Sequence, residues 1–323
     1  MTRCPLSARS AITAFLLAAS ATCGFARDAV IEGKDNWLFA GWESLTVDRP
    51  AAERSSIQLI ADVNRGLAQQ NIKLIVAVVP IKPRYYKALL PDGLSIAEAV
   101  EKRYDFLLVE LRSAGIAAPD LRDALKKVIV GKQEVFYRAD FHWTTFAAEA
   151  AADQIADVIK SVGPLPGKAG SGAQLGDWIN DRHLGDLAAN FLSPERKRII
   201  GPESYVIRKP ASGNATLLDS DPSPVAVVGN SFVQPYFGFP QRLSNQIDRP
   251  VSLKWNPGDI GPWTTLLQFL QSAEFKSNPV KFLVWQFNEG QLQNGPDAVG
   301  EWAAQSILPP RQWLLKVEES LQK

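Results

Sequence analysis

The sequence predicts an α/β fold built on a mainly parallel sheet. Two observations carry this. Short, continuously apolar runs recur along the chain, as expected of strands buried on both faces. Between them lie longer segments with apolar residues at helical spacing, and such alternation is the signature of βα units.

The elements follow in order. Ala52 to Gln70 carries Ile57, Ile60, Val63 and Leu67 on one helical face. Lys73-Leu74-Ile75-Val76-Ala77-Val78-Val79, closed by Pro80, is a buried-strand candidate. Ile96 to Ser113 is again helical, with Val100, Tyr104, Leu107, Leu108 and Leu111 in phase before Gly115. Ala147 to Val162 is an alanine-rich helix. Val225-Ala226-Val227-Val228 and Lys281-Phe282-Leu283-Val284-Trp285 are two further buried strands. Trp302 to Leu321 reads as a closing amphipathic helix interrupted by Pro309-Pro310. The Gly163 to Gly176 stretch and the Pro210 to Pro224 segment read as long loops. Ligands of such sheets bind beyond the carboxyl ends of the strands.

Residues 1–26 are expected to lie outside the fold. Arg3 and Arg9 precede the apolar run Ala11 to Ala19, and Gly24-Phe25-Ala26 offers small residues for cleavage. This is the pattern of a secretory signal peptide, with retention as an uncleaved anchor as the alternative. Residues 27–323 then form one domain with long loops. Both cysteines, Cys4 and Cys23, fall in the leader. Thiolate nucleophiles and thiolate metal centres are thereby excluded from the mature chain, and two histidines make a histidine-rich metal site improbable. The formal charge of +1 becomes −1 without Arg3 and Arg9. No basic field exists to hold nucleic acid.

With so few histidines, each bears on the chemistry. His142 sits in Asp140-Phe141-His142-Trp143, where an aspartate two residues earlier in extended backbone would point the same way as the ring. The competing account is a core histidine near the start of the alanine-rich helix, which Thr144 or Thr145 would cap. His183, among Asp181, Arg182 and Asp186, reads as an exposed loop residue. Gly229-Asn230-Ser231 ends a strand candidate, and a serine there could face a cleft. The competing account is a strand-to-helix turn with serine as cap. The Gly-x-Ser-x-Gly elbow of ordinary α/β-hydrolases is absent. Lys82, beyond the first strand, is either a solvated loop lysine or a polar group on the same sheet edge as Ser231. An acid, an imidazole and a serine are the components of a nucleophilic serine site.

The ordered set of segments resembles a known family, the alginate O-acetyltransferase AlgJ/AlgX-like proteins of the SGNH-hydrolase-like group. The likeness runs through Gly33-Lys34-Asp35-Asn36-Trp37-Leu38-Phe39, Val79-Pro80-Ile81-Lys82 with Tyr86 downstream, Asp140-Phe141-His142-Trp143 as an Asp-x-His-Trp signature, Gly229-Asn230-Ser231-Phe232 and Val284-Trp285-Gln286-Phe287-Asn288-Glu289. It implies an SGNH-hydrolase-like, flavodoxin-like three-layer sandwich with a circularly permuted motif order. It implies a triad of Asp140, His142 and Ser231 with no cofactor and no metal. Asn230, Lys82, Tyr86, Trp143 and Trp285 become candidates for oxyanion or substrate contacts. The implied activity is periplasmic acetyl transfer to hydroxyls of an exported exopolysaccharide, alginate-like or cellulose-like. A membrane-bound O-acyltransferase would supply the acetyl group, alongside other polysaccharide export proteins. Asn230 stands where the family often has aspartate, and Gly290 where it often has arginine. The same chemistry suits a carbohydrate acetylesterase, and a non-catalytic glycan-binding component of an export complex is a reading from a different class.

Overall fold

The computed structural model describes residues 29–209, 222–278 and 280–322. The expected leader over residues 1–26, with both cysteines, and most of the 210–224 segment lie outside the described residues.

The chain opens with a small antiparallel hairpin of β1 (Val30–Glu32) and β2 (Leu38–Ala40). Then come α1 (Pro50–Gln69), β3 (Lys73–Val79), α2 (Glu98–Ser113), α3 (Leu121–Val130) and α4 (Thr145–Val162). A second hairpin pairs β4 (Trp178–His183) with β5 (Glu203–Arg208), enclosing α5 (Asp186–Phe191) and α6 (Pro194–Ile200). The remainder is β6 (Val225–Gly229), α7 (Phe239–Ile247), β7 (Val251–Trp255), α8 (Gly261–Gln271), α9 (Ala273–Ser277), β8 (Phe282–Asn288) and α10 (Pro310–Leu321).

Four strands form the central sheet in the order β3-β8-β6-β7, and every pairing is parallel. Ala117 adds a single parallel bridge beside Ile75. β3, β6 and β8 are buried on both faces, as their unbroken apolar runs require. One face meets the apolar sides of α1, α2, α8 and α10. The other meets α3, α4 and α7, including the alanines of α4, which let that helix lie close to the sheet. The result is three layers. β6 lies between β7 and β8, and ligands of open parallel sheets bind beyond the carboxyl ends of such strands.

Two expectations need correction, and one element had no forerunner in the sequence reading. The helix predicted from Trp302 begins at Pro310, because proline at the first helical position starts a helix instead of interrupting it. Trp302 packs into the core from the preceding turn and donates its ring N–H to the Gly295 carbonyl at 2.7 Å. His183 is the last residue of β4, not a loop residue, and its ring stacks on Tyr205 with centroids 3.7 Å apart. The β4–β5 hairpin escapes a period-two reading because β4 is exposed over most of its length and has no buried alternate face.

Candidate active site

Ser231 follows β6 directly. Asn230 caps a short 3-10 turn, Ser231–Val233, by accepting the Phe232 amide on Oδ1 at 3.0 Å. The cap is therefore Asn230 and not Ser231. As the first residue of the turn, Ser231 has no acceptor for its own amide within it. Gly229 is needed for space: a Cβ there would lie 2.6 Å from Gln286 Oε1 and 2.9 Å from Val233 Cγ2. Its backbone is not in the left-handed region, so the turn is tight without being strained.

His142 arrives from the opposite direction, in the bend leading to α4. The Asp140–His142 pair does not sit in extended backbone. Asp140 Oδ1 accepts the His142 amide at 3.0 Å, a side-chain turn two residues long that folds the chain back on itself. The same oxygen meets His142 Nδ1 at 2.8 Å. With Nδ1 facing a carboxylate, the ring proton sits there, and Nε2 is left to accept from Ser231 Oγ at 2.7 Å. Thr144 then caps α4 by accepting the Ala147 amide.

The surrounding groups hold this bend. Asp140 Oδ2 accepts the Tyr205 hydroxyl at 2.9 Å and the Asp186 amide at 3.3 Å. Burial acts to raise the Asp140 carboxyl, but the adjoining imidazole and these hydrogen bonds outweigh it, and the group is held well below the usual carboxylate range. Glu203 accepts the amides of Arg138 and Ala139, both at 2.7 Å. Lys82 donates to the carbonyls of Leu38 at 2.5 Å and of Arg138 and Asp140 at 2.9 Å. The Trp143 ring N–H donates to the Phe232 carbonyl at 2.8 Å, tying the histidine bend to the serine turn.

Ser231 and His142 line a cleft of about 630 Å³ at the carboxyl ends of β6, β7 and β8. Trp42, Phe141 and Phe191 form an aromatic cluster on one wall, with Trp42 in edge contact with Phe141 at 5.3 Å. Trp255 and the following Pro257 to Asp259 form another wall. Asn288, Gly290 and Gln291 enter from the end of β8. Glu43 also reaches the cleft. Burial, and then the nearby Glu289 charge, push its carboxyl up to about 8, and its Oε2 has no hydrogen-bond partner.

The residues singled out in the sequence are thus distributed unevenly. Asp140, His142, Ser231 and Asn230 converge. Lys82 is neither solvated nor in the cleft but fully buried, spent on three carbonyls. Trp143 and Trp285 are buried in opposite halves of the core. Trp285 contacts Trp263 and Trp313 and is remote from any ligand surface. Tyr86 stacks near Trp37, donates to the Glu134 carboxylate at 2.7 Å and accepts the Val135 and Phe136 amides, outside the cleft. Asn230 donates from Nδ2 to Asn288 Oδ1 at 3.2 Å and Gln291 Oε1 at 3.1 Å, so both its amide hydrogens are committed. Sequence reading missed Tyr205, Glu203, Asp186 and Glu43, whose links to the site span long stretches of chain. Only Asn288, at the end of an apolar run, carried a local signal.

Comparison with known proteins agrees with this fold. Residues 30–289 match the family model described as SGNH hydrolase-like domain, acetyltransferase AlgX. The probable alginate O-acetylase AlgJ of Azotobacter vinelandii is 30% identical over 90% of this chain and 77% of its own length. That of Pseudomonas fluorescens is 29% identical over 86% and 73%. The solved O-acetyltransferase domain of Pseudomonas putida AlgJ superposes with a TM-score of 0.70 at 27% identity, covering 90% of this chain and 99% of that one. The chain belongs to the SGNH hydrolase-like acetyltransferase AlgX family.

Proposed function

We propose that this protein transfers acetyl groups to hydroxyls of an exported exopolysaccharide through an acetyl-Ser231 intermediate. The supporting observation is the contact chain Asp140–His142–Ser231, complete at 2.8 and 2.7 Å and opening on a cleft. In the first half-reaction Ser231 Oγ attacks the donor's acetyl carbon while its proton passes to His142 Nε2. The bond from the acetyl carbon to the donor breaks, and the leaving group takes that proton from His142. In the second half-reaction an acceptor hydroxyl gives its proton to His142 as its oxygen bonds the acetyl carbon. The Oγ–C bond breaks and Ser231 regains a proton. Asp140 keeps the imidazole in the useful tautomer and stabilises its cation in both halves.

The negative oxygen that develops on the acetyl carbonyl needs donors. The Ser231 amide is one. Asn288 is the second: its Oδ1 is fixed by Asn230 Nδ2 and by Gln286 Nε2 at 2.9 Å, which leaves its own amide hydrogens available to the cleft. Asn288 thus takes the role expected of Asn230.

The relatives named alginate O-acetylase act on a polysaccharide, and this chain takes a substrate of that class. We place the protein in the periplasm, with a membrane-bound O-acyltransferase supplying acetyl groups. No helix among the described residues is long and apolar enough to cross a membrane.

The test is mass spectrometry of the protein after a brief exposure to an aryl acetate, with and without an oligosaccharide. An acetyl adduct on Ser231 that moves to the sugar supports the reading. An adduct released only as acetate, whatever acceptor is present, would make the protein an esterase. Acetylated sugar formed equally by Ser231→Ala refutes the intermediate.

A further inference from the structure

The walls of the cleft say more about the acceptor than the reacting groups do. Among the described residues that line it, no lysine or arginine appears, and His142 is the only group able to carry positive charge. Two aspartates, Asp186 and Asp259, reach the surface of the cleft, and Glu43 adds a carboxyl that burial and the Glu289 charge push up to about 8, so that it offers a neutral acid group near pH 7. The other polar lining groups are the amides of Asn190, Asn230, Gln234, Asn288 and Gln291. Opposite them stand flat aromatic faces, with Trp42 and Phe191 well exposed.

The cations nearest the floor do not alter this. Arg84 and Arg103 are drawn away by Glu289, which takes Arg84 at 2.6 Å and Arg103 at 2.9 Å. Lys82 is enclosed by three carbonyls. Glu43 is more than nine-tenths buried in the wall of the cleft, and its Oε2 has no hydrogen-bond partner.

A polyuronate carries one carboxylate on every sugar. Bound here, each would meet acids or neutral amides, and like-charge juxtaposition across a binding surface is strongly unfavourable. A glycan of uncharged sugars suits the same surface: its ring faces stack on Trp42 and Trp255, and its hydroxyls both donate to and accept from the amides. Resting on the acetyl-transfer reading above, we infer that the acceptor is a glycan that carries no carboxylate along the stretch lying in the cleft, and not a polyuronate.

Gly290 gives the test a lever. It lines the cleft, its φ is ordinary, and a Cβ placed on it meets nothing within 4 Å. An arginine can therefore be introduced there without a clash. The experiment is calorimetric titration of the full chain carrying Ser231→Ala with a β-1,4-linked glucose oligosaccharide and a mannuronate oligosaccharide of equal length, at low and high salt. The same titrations are repeated with Gly290→Arg added.

The expected result is binding of the uncharged sugar at least about tenfold tighter than the uronate, a difference of about 1.4 kcal/mol. Salt should leave the uncharged sugar's affinity unaltered and strengthen the uronate's, because screening weakens repulsion. Gly290→Arg should narrow the gap. Equal or tighter uronate binding, uronate binding that weakens with salt, an arginine without effect on the gap, or binding of neither sugar each overturns the inference. Acetylation of Ser231 by the aryl acetate, measured separately on the parent protein, judges the acetyl-transfer reading independently.

Discussion

Replacing Asp140 by asparagine tests the proposed chemistry most directly, because the structure shows what each orientation of the new amide would meet. Both carboxylate oxygens accept: Oδ1 from the His142 ring and amide, Oδ2 from Tyr205 and the Asp186 amide. An NH2 placed at Oδ1 would oppose a backbone N–H and force the imidazole into the tautomer that cannot accept from Ser231. Placed at Oδ2, it opposes only the Asp186 amide, since the Tyr205 hydroxyl can turn to accept. The second orientation is the one the protein should adopt. It keeps the tautomer but removes the charge that stabilises the imidazolium. Two unit charges about 4 Å apart at an effective dielectric of about 20 interact by ~4 kcal/mol. That corresponds to roughly a thousandfold slower acetylation of Ser231. The assay is the pre-steady-state burst with an aryl acetate, with folding checked by the near-ultraviolet signal of the buried tryptophans. A folded Asp140→Asn protein within about tenfold of the parent rate would refute a stabilising role for the carboxylate.

Four further outcomes are expected. Tyr205→Phe deletes one buried hydrogen bond to a charged group, which should cost ~1.5–3 kcal/mol of stability by denaturant titration. Glu43 is raised from 4.5 to about 8 by burial and Glu289, so its contribution to stability is full below about 4.5 and is lost as pH rises through about 8. That shift bounds the loss at ~5 kcal/mol, and Glu43→Gln should flatten the fall in unfolding free energy between those limits, leaving the slope due to Glu53, which burial and Asp48 also raise to about 8. Trp42→Ala removes an exposed stacking face and should raise the acceptor KM by about tenfold or less, with a smaller effect on the acetylation burst. Lys82→Met strips the donor from three buried carbonyls and should lower stability by ~3 kcal/mol or more in thermal unfolding.

What was legible in the sequence is what local pattern can encode. The buried strands β3, β6 and β8 announce themselves as unbroken apolar runs, and α1, α2 and α4 as helical periods. Asp140, His142 and Ser231 were legible because each sits within a few residues of its cap or partner. The rest depends on contacts across the fold. Lys82 bonds carbonyls 44, 56 and 58 residues away, and lysine is ordinarily solvated, so nothing local distinguishes it. Tyr205 reaches Asp140 across 65 residues, from a short strand whose hairpin partner is exposed along nearly all its length. Trp143 and Trp285 looked equally suited to a sugar, and packing assigned both to the core. Strand β7 was missed because Val251-Ser252-Leu253-Lys254-Trp255 is an edge strand, short and half-buried, with a weak alternation.

The placement of His142 poses a physical problem that these long-range contacts solve. Ser231 stands at the end of a central strand, whose position the whole sheet enforces. His142 stands in an irregular bend, where loops ordinarily move. The bend is rigid because its polar groups are satisfied from inside the protein. Glu203 takes the amides of Arg138 and Ala139, Lys82 takes the carbonyls of Arg138 and Asp140, and the Tyr137 amide takes the His142 carbonyl at 3.2 Å. A bend so anchored needs no solvent, and a dry, fixed dipole array is what stabilises developing charge without reorganisation. Burial pushes the Lys82 ammonium down to about 7 and the Glu203 carboxyl up, and each partly offsets the shift of the other. Neither lines the cleft. Damage to either should therefore appear in the rate of Ser231 acetylation and in stability, while the acceptor KM, set by the aromatic and amide walls, stays close to that of the parent protein.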